Sequence, residues 1–437
     1  MLYQLVDEYL DEMLEGLTDP NDPNRCAPAF VEKEFRAFLE CGRPEFGHVR
    51  FVCRQCKTER TVPFSCKGRA ICPSCCARRM EDSATHLAER VLPAVPIRQW
   101  VLSPPSELCG LLAARGAVLS KMSTLFVDAI SRNLRTWAKD ELGLGKVTCG
   151  AVVILQRFTN TLAVFPHLHI LFLDGVYEAR DDDAPPVFHA CPPPDAMTML
   201  NVGRDFFSKM ERYLAKNGFL DGDHEREMPE DGWFVRATHE PSMLEKAPTH
   251  SRVRDASTSI EFGGFSLHAG VTVRADDLAG RKRLCRYALR PPLAEDQLRR
   301  TADGDVELEL KKKTRAGQTH IRLTPIQLLR KLAWLIAPPR QHQIRFHGVL
   351  APHAKVRADV VPTPDGETIP LRIEGARTTK TDRAPWARLL KNVYDIDGLR
   401  CERCGGTLRP VDAMTRRRIL ERRESKATDP PQLVFEF

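Results

Sequence analysis

Two histidines separated by a single residue, His167 and His169, lie within the apolar run Val164–Leu173. A run of this length and composition, followed by Asp174 and Gly175, predicts a buried strand in which residues two apart share one face. Both imidazoles should therefore point the same way, about 6–7 Å apart along the strand. Imidazole is a common ligand of divalent metals, so the pair could form half of a metal site. The alternative is two core histidines bonded to carbonyls, but the unbroken hydrophobic run favours metal binding.

A tyrosine, Tyr287, lies in a basic segment, residues 281–292. The spacing of its apolar residues predicts a short helix, which Pro291 must end. Arg283 and Arg290 fall four residues before and three after the tyrosine, so all three can share one face. Guanidinium groups hold phosphate well, so Tyr287 could attack a phosphate bound beside it. The alternative is a surface phenol whose ring packs on the core.

Cysteine spacing predicts a zinc site in the N-terminal part of the chain. Of 14 cysteines, six fall between residues 53 and 76. The pattern Cys53-x2-Cys56-x15-Cys72-x2-Cys75 is typical of four thiolates around one zinc ion. Buried cysteines without a metal rarely form paired Cys-x2-Cys motifs, so we expect these four to bind one structural Zn²⁺.

Other cysteines could belong to further metal sites. Cys41, His48 and Cys66 could bind a second zinc ion, because mixed Cys/His sets also close a tetrahedron. Cys401-x2-Cys404 resembles one half of a zinc site, but no later cysteine or histidine follows it. Ligation there would need residues from elsewhere in the chain.

The charge of the chain favours a phosphate polymer as partner. The formal net charge is +7, and residues 281–300 hold seven Arg or Lys against Glu295 and Asp296. Such a local excess attracts nucleic acid, although a solvated charged helix is the alternative. The candidates for DNA contact are basic side chains near Tyr287 and in the cysteine-rich segment, together with one strand histidine: Arg283, Arg286, Arg290, Lys67, Arg69 and His268.

Targeting signals are not apparent in this sequence. No window approaches the roughly 18 apolar residues of a membrane span, and the N-terminus lacks the pattern of a signal peptide. We therefore expect a cytoplasmic protein with no membrane partner, whose cysteines bind metal rather than form disulfides.

The length of 437 residues predicts more than one domain. We expect an N-terminal helix and zinc-binding module at 1–90 and a catalytic domain at 91–300. Within the latter, an insertion at about 178–260 is rich in Asp, Glu and Pro. A mostly helical C-terminal region with a basic, partly disordered tail completes the chain at 301–437.

Periodicity predicts the elements that carry the candidate residues. Val147–Phe158 and Val164–Leu173 are expected to form a hairpin around a polar turn at 159–161. A helix is expected near 202–216, and the Tyr287 helix at 276–289.

Four stretches, in their order and spacing, resemble the IS91-type rolling-circle transposases of the HUH single-strand endonuclease superfamily. They lie between residues 40 and 355 and comprise Phe64–Arg69 with Cys72–Cys75 and Arg78–Met80, Gln156–Phe158 with His167–His169, Ser266–Ala269 with Arg286–Pro292, and Leu323–Pro325 with Phe346–His353. Some relatives carry two tyrosines four residues apart on the nucleophile helix. Here Arg283 stands four residues before Tyr287, so the chain resembles the single-tyrosine branch.

The resemblance implies an α+β fold, with an antiparallel sheet flanked by helices. The histidines would lie on a central strand and the tyrosine on a helix packed beside it. In the implied reaction, Tyr287 attacks a phosphorus in single-stranded DNA and leaves a 5′-phosphotyrosine and a free 3′-hydroxyl. Mg²⁺ or Mn²⁺ at His167 and His169 would orient the phosphate and neutralise developing charge. As third ligand, the amide oxygen of Gln156 on the neighbouring strand is the first choice, and His268 is the alternative.

The leading function is therefore a transposase that nicks and rejoins single strands during rolling-circle transposition. Its implied partners are single-stranded element ends with hairpins, and a host helicase or replication machinery, since the chain has no G-x-x-x-x-G-K-[ST] phosphate loop. Two other functions stay open. One is a plasmid or phage replication initiator or relaxase-like nickase with the same site, and the other is a non-catalytic zinc-dependent DNA-binding protein.

Overall fold

The computed structural model describes residues 1–17, 27–180, 184–219, 258–314, 316–362 and 400–415. Contacts divide the chain into two compact units. The described residues of 1–31 and 79–362 form the first unit, and those of 32–78 and 400–415 form the second. Residues 220–257 of the predicted insertion and the predicted basic tail beyond 415 lie outside the described residues.

The secondary structure mixes helices and strands along the whole described chain. The helices are α1 (Leu2–Glu15), α2 (Ala29–Leu39), α3 (Pro73–Arg90), α4 (Ser106–Ala114), α5 (Gly116–Leu142), α6 (Ala196–Lys216), α7 (Leu278–Leu289), α8 (Pro325–Leu335) and α9 (Arg357–Val360). The strands are β1 (Gly47–Cys53), β2 (Glu59–Pro63), β3 (Ile97–Ser103), β4 (Val147–Thr148), β5 (Gly150–Phe158), β6 (Val164–Leu173), β7 (Gly175–Glu178), β8 (Val187–Ala190), β9 (Ser259–Phe262), β10 (Phe265–Val273), β11 (Leu298–Arg300), β12 (Val306–Glu309), β13 (His320–Leu323), β14 (Ile344–Gly348) and β15 (Leu408–Thr415).

A six-stranded sheet in the order β14-β5-β6-β3-β10-β9 forms the centre of the first unit. Every neighbouring pair in it is antiparallel. The predicted hairpin is confirmed as β5 and β6, whose turn is closed by the Thr159 N–H donating to the carbonyl of Ala163 at 3.0 Å. The predicted α+β class with an antiparallel sheet is confirmed as well.

Helices cover both faces of this sheet. On one face Phe126 of α5 meets Trp100 of β3 edge to face, and Phe206 of α6 meets Phe126 in the same way. On the other face α3 and α7 pack against Leu171 and Leu173 of β6. Because strand residues alternate between faces, the odd-numbered residues of β6 point toward α7.

Residues beyond 300 complete the central sheet, which differs from the predicted separate C-terminal region. Strand β14 pairs with β5, and Phe346 lies opposite Val152. The described part of 301–362 holds β12, β13 and β14 besides α8 and α9, so it is mixed rather than mostly helical. The short edge strand β14 has little local signal of its own, and its partner lies far away in sequence.

The predicted insertion contributes a helix to the core. Helix α6 covers the region near 202–216 where a helix was expected. The residue before it, Asp195, accepts a hydrogen bond on its side chain from the Thr198 N–H at 2.7 Å and so caps the helix. Its buried residues, among them Phe206 and Met210, join the core with α5.

The second unit is built on a three-stranded antiparallel sheet in the order β15-β1-β2. The buried apolar cluster at this sheet is small and, among the described residues, comprises Phe51, Cys53, Cys401 and Leu408. Phe35, Phe38 and Ile71 of the same unit are buried as well. Among the described residues of the whole chain, no single helix is long and apolar enough to cross a membrane, and α4 with α5 reaches that length and composition only as a pair bent by 116°.

A buried ion pair links β3 and β10 of the central sheet to Asp174, the residue that follows β6. Arg98 on β3 donates to both carboxylate oxygens of Asp174 at 2.9 and 2.8 Å, and to the carbonyl of Ala269 on β10 at 3.0 Å. The side chains of Arg98 and Asp174 are 5% and 12% exposed. Removal of one charge would leave the other buried without its partner.

We expect Asp174→Asn to lower the free energy of unfolding by about 3–5 kcal/mol, measured by urea denaturation. The matched control is Asp303→Asn, which breaks a pair with Arg322 whose side chains are 52% and 71% exposed. That control should change the same quantity by less than about 1 kcal/mol. Equal losses in the two variants would contradict the structural role of the buried pair.

Candidate functional site

His167 and His169 lie on β6 with 5.0 Å between their ring centroids. They share the face of β6 that packs against α7. His169 is buried, and its ring meets that of Tyr287 edge to face, with 5.6 Å between centroids. His167, His169 and Tyr287 therefore lie together, and we call this place the histidine site.

Both imidazoles of the histidine site are uncharged near neutral pH. Burial lowers the pKa of His167 to about 4 and that of His169 to about 3, and the cation of Arg290 acts in the same direction on both. Nδ1 of His167 donates to the carbonyl of Phe165 at 2.8 Å, so its Nε2 carries the free lone pair. A neutral ring held in this tautomer is suited to bind a metal.

Gln156 on β5 lies directly opposite His167. Its Nε2 donates to the carbonyls of Tyr287 at 3.1 Å and Ala288 at 2.8 Å. These carbonyls belong to the last turn of α7, where the helix itself offers no donors. The amide oxygen of Gln156 is buried and has no hydrogen-bond partner in the described structure, which is costly unless another group binds it.

The ring of Tyr287 contacts the buried His169 on one side, and the residue is exposed to solvent on the other. The prediction that the prolines end its helix is confirmed, because α7 stops at Leu289 and Arg290 is extended, with ψ of 143°. Tyr287 is 44% exposed, so a polymer can reach its hydroxyl. The Arg290 guanidinium carbon lies 5.5 Å from the centre of the Tyr287 ring.

The other predicted arginines of α7 are placed differently. Arg283 is exposed and lies 3.6 Å from Asp277, whereas Nε of Arg286 donates to Glu81 at 2.7 Å. Of the three arginines expected beside the tyrosine, Arg290 is the one placed against its ring. Arg286 instead links α7 to α3.

His268 lies two strands away from the histidine pair. Val101 of β3 pairs with His169 on one side and with His268 on the other, which corresponds to about 10 Å across two strand spacings. The ring is exposed, and its Nδ1 accepts the Gly270 N–H at 3.3 Å. His268 therefore shares the face of the site, and among the described residues it does not join His167 and His169 in a group of metal-ligating atoms within 4.8 Å of one another.

Sequence reasoning missed two polar residues at this site. Nε2 of Gln99 on β3 lies 2.8 Å from Nδ1 of His169, and Gln99 is buried. A glutamine within an apolar strand was the available signal. Lys311 follows β12, and its pKa is lowered by burial and then by the charge of Arg290. No local sequence pattern shows that Lys311 and Arg290 are neighbours.

The cysteines form two clusters whose membership corrects the predicted zinc site. The first cysteine cluster comprises Cys41, Cys66, Cys72 and Cys75, and the second comprises Cys53, Cys56, Cys401 and Cys404. Within each cluster the four sulfurs lie within 4.8 Å of one another. The predicted set of Cys53, Cys56, Cys72 and Cys75 is wrong as a single site, because its two motifs lie in different clusters.

The predicted second set is also divided. Cys41 and Cys66 belong to the first cluster, but Nδ1 of His48 donates to the carbonyl of Pro44 at 2.9 Å and His48 belongs to neither cluster. Spacing identifies a Cys-x2-Cys half-site but not its partner, which the fold brings from any distance. The half-site Cys401-x2-Cys404 thus finds its partner in Cys53 and Cys56.

Two basic candidates lie beside the first cluster. Lys67 follows Cys66 with a positive φ of 55°, and the exposed Arg69 donates its backbone N–H to Glu34. In the second cluster, the Thr58 hydroxyl lies 3.1 Å from Sγ of Cys56. Hydrogen bonds from the Thr58 side chain and backbone, and then from Cys404, lower the pKa of Cys56 to about 6, which favours the thiolate that metals bind.

Comparisons with known proteins bear on both units. A family model described as a putative transposase matches residues 150–358, which contain the histidine site and α7. A second model, described as a transposase zinc-binding domain of the IS91 type, matches residues 11–104. No curated protein and no solved structure gives a significant match.

These matches define the chain as a transposase, a DNA-processing enzyme. It belongs to the IS91-type transposases that carry an N-terminal zinc-binding domain. The zinc-binding match and the cysteine clusters together support structural zinc.

Proposed function

We propose that this transposase nicks and rejoins single-stranded DNA through a covalent phosphotyrosine at Tyr287, as in rolling-circle transposition. The observation that carries the proposal is the placement of an accessible phenol, 44% exposed, edge to face with the buried His169. A structural tyrosine would not need the neutral histidine pair beneath it.

The donor atoms at this place fit a divalent cation. His167 offers Nε2, and the buried amide oxygen of Gln156 has no protein partner in the described structure. Nε2 of Gln99 lies against Nδ1 of His169, and a turn of this amide by 180° would bring its oxygen there instead. In that arrangement Nδ1–H of His169 would donate to the Gln99 oxygen, and Nε2 of His169 would be free for a metal. Mg²⁺ or Mn²⁺ held by His167, His169 and Gln156 would supply charge neutralisation at the phosphate.

In the cleavage step the attack on phosphorus and the positioning of the DNA are carried out by side chains of the protein. The hydroxyl oxygen of Tyr287 forms a bond to phosphorus and loses its proton, while the bond from phosphorus to the 3′-oxygen breaks and that oxygen leaves as a 3′-hydroxyl. Arg290 can hold a phosphate oxygen beside the ring. Gln156 fixes the backbone of Tyr287, which limits the freedom of the attacking group.

Rejoining reverses the same step. A 3′-hydroxyl attacks the phosphotyrosine, forms a phosphodiester and releases the phenol. The number and kind of bonds are conserved, so the joining step needs no nucleotide cofactor. Separation of the strands is a different task, for which we propose a host helicase or replication machinery.

We infer that the DNA partner is single-stranded at element ends, in a region that forms hairpins. In the first unit, Arg283 and His268 are exposed, and Lys311 neighbours Arg290. Arg286 can contact phosphate only if it binds Glu81 and phosphate at the same time or breaks its ion pair with Glu81. In the second unit, Lys67 and Arg69 are the corresponding candidates. Contacts of this kind bind the backbone without reading sequence and weaken with salt.

The test uses the full chain with Mn²⁺ and single-stranded oligonucleotides that cover the ends of the DNA segment carrying its gene. We expect a covalent adduct on denaturing electrophoresis, with Tyr287 in the modified peptide by mass spectrometry and a 3′-hydroxyl that a polymerase extends. The same sequences as duplexes should give little adduct. Strand cleavage without any adduct would overturn the proposed mechanism.

A further inference from the structure

The second cysteine cluster has the dimensions of an occupied zinc site. Sγ of Cys53 lies 3.5 Å from Sγ of Cys404, and Sγ of Cys56 lies 3.5 Å from Sγ of Cys401. A tetrahedral zinc ion with Zn–S bonds of about 2.3 Å holds its sulfurs about 3.8 Å apart. Sulfurs of the first cluster are 3.4–3.8 Å apart, so the two clusters are alike in size.

Both halves of the second cluster are built on the same backbone loop. The N–H of Lys57 donates to the Cys53 carbonyl at 3.2 Å, and the N–H of Gly405 donates to the Cys401 carbonyl at 2.8 Å. Each of these donors directly follows the second cysteine and has a positive φ, 60° and 72°. A lysine in this conformation is strained. A loop that must hold two cysteine sulfurs toward one metal ion accounts for that strain.

The strand pairing that brings the two halves together does not itself involve the sulfurs. Strand β15 pairs with β1, and Leu408 lies opposite Cys53. The N–H of Arg54 also donates to the Thr407 carbonyl at 3.1 Å. The loop that carries Cys401 and Cys404 is therefore positioned beside Cys53 and Cys56 by backbone hydrogen bonds.

The local core is too small to explain this arrangement by packing. Among the described residues its buried members are Phe51, Cys53, Cys401 and Leu408, with Val49, Cys56 and Val62 partly buried against them. Cores of this size usually need a metal or a disulfide to hold them. Four thiolates around Zn²⁺ carry two net negative charges. An exposed arginine lies inside each half-site, Arg54 in one and Arg403 in the other, and both can offset this charge.

We propose that Cys53, Cys56, Cys401 and Cys404 bind a second structural zinc ion, separate from that of the first cluster. The zinc-binding family match ends at residue 104 and the transposase match at residue 358, so neither contains Cys401 or Cys404. The ion fastens residues 400–415 to β1 and makes them part of the zinc-binding unit. This zinc site is independent of whether Tyr287 is the nucleophile.

Zinc content of the full chain tests the proposal. Protein purified under reducing conditions and dialysed against a weak chelator should contain two zinc ions per chain. Cys404→Ser and Cys72→Ser should each contain one, because each variant removes a ligand of a different cluster. The matched control is Cys76→Ser, which adjoins a ligand but belongs to neither cluster, and it should retain two. One zinc in the wild type, or two in Cys404→Ser, would overturn the proposal.

Alkylation of the wild type gives a second readout that does not depend on how the variants fold. Cys404 is exposed, so without a metal it should react as an ordinary surface thiol. We expect N-ethylmaleimide to modify Cys404 at least roughly tenfold more slowly in the zinc-loaded chain than after a strong chelator has removed the zinc. Peptide mass spectrometry measures the modification over time. Equal rates before and after chelation would reject a metal at this site.

Discussion

Replacement of Tyr287 by phenylalanine is expected to abolish the covalent protein–DNA adduct while single-stranded DNA binding stays within about twofold of the wild type. The substitution removes the oxygen that would attack phosphorus and keeps the ring. The edge-to-face contact with His169 and the contact with Arg290 should therefore persist. Denaturing electrophoresis measures the adduct, and fluorescence anisotropy with the same oligonucleotide measures binding.

The matched control for this prediction is Tyr213→Phe. Tyr213 lies on α6, which packs on the opposite face of the central sheet, and it is partly buried against that core. This variant should form adduct at the wild-type rate. An adduct that survives in Tyr287→Phe would show that Tyr177, Tyr213 or another tyrosine is the nucleophile, and the assignment of the site would be wrong.

Separate replacement of His167 and His169 by alanine should lower metal-dependent nicking by at least about 10²–10³-fold. Each substitution removes a neutral nitrogen donor from the site, and charge that develops on the phosphate would then be poorly stabilised. Single-turnover rates at several Mn²⁺ concentrations measure the effect. Higher Mn²⁺ should partly restore the rate of one variant, since a weakened site can be filled by mass action.

The control for folding is His320→Ala, an exposed position on β13, which should nick at the wild-type rate. Because His169 is buried, thermal unfolding of each variant should be measured beside the rates. A variant that unfolds at the wild-type temperature and still nicks slowly identifies a chemical role. Wild-type nicking at full rate in EDTA would refute a role for metal, whatever the histidines contribute to stability.

Local patterns predicted the elements that position the candidate site. The apolar run of β6, the polar turn after β5 and the prolines after α7 each determine backbone conformation within a few residues. Strand alternation then places His167 and His169 on one face. The side of the sheet on which α7 packs is not a local property, and it entered the prediction only through the family resemblance.

Partners that are distant in sequence could not be predicted in the same way. Nothing near Arg286 shows that Glu81 of α3 will bind it, and nothing near β5 shows that β14 will extend the sheet. The cysteine motifs show the same limit, because a Cys-x2-Cys half-site fits any other half-site. Nearest-neighbour pairing in sequence was the wrong assumption for Cys53 and Cys56.

The pairing of β1 with β15 also constrains how the protein can be made. Cys56 and Cys401 are separated by 345 positions, and at about 5–20 residues per second a ribosome takes roughly 20–70 s to synthesise that length. Throughout this time β1 lacks one strand partner, and the thiols of Cys53 and Cys56 lack theirs. The cysteine-rich segment is therefore synthesised early and completed late, and the nascent chain must keep two reactive thiols reduced until residues 400–415 leave the ribosome.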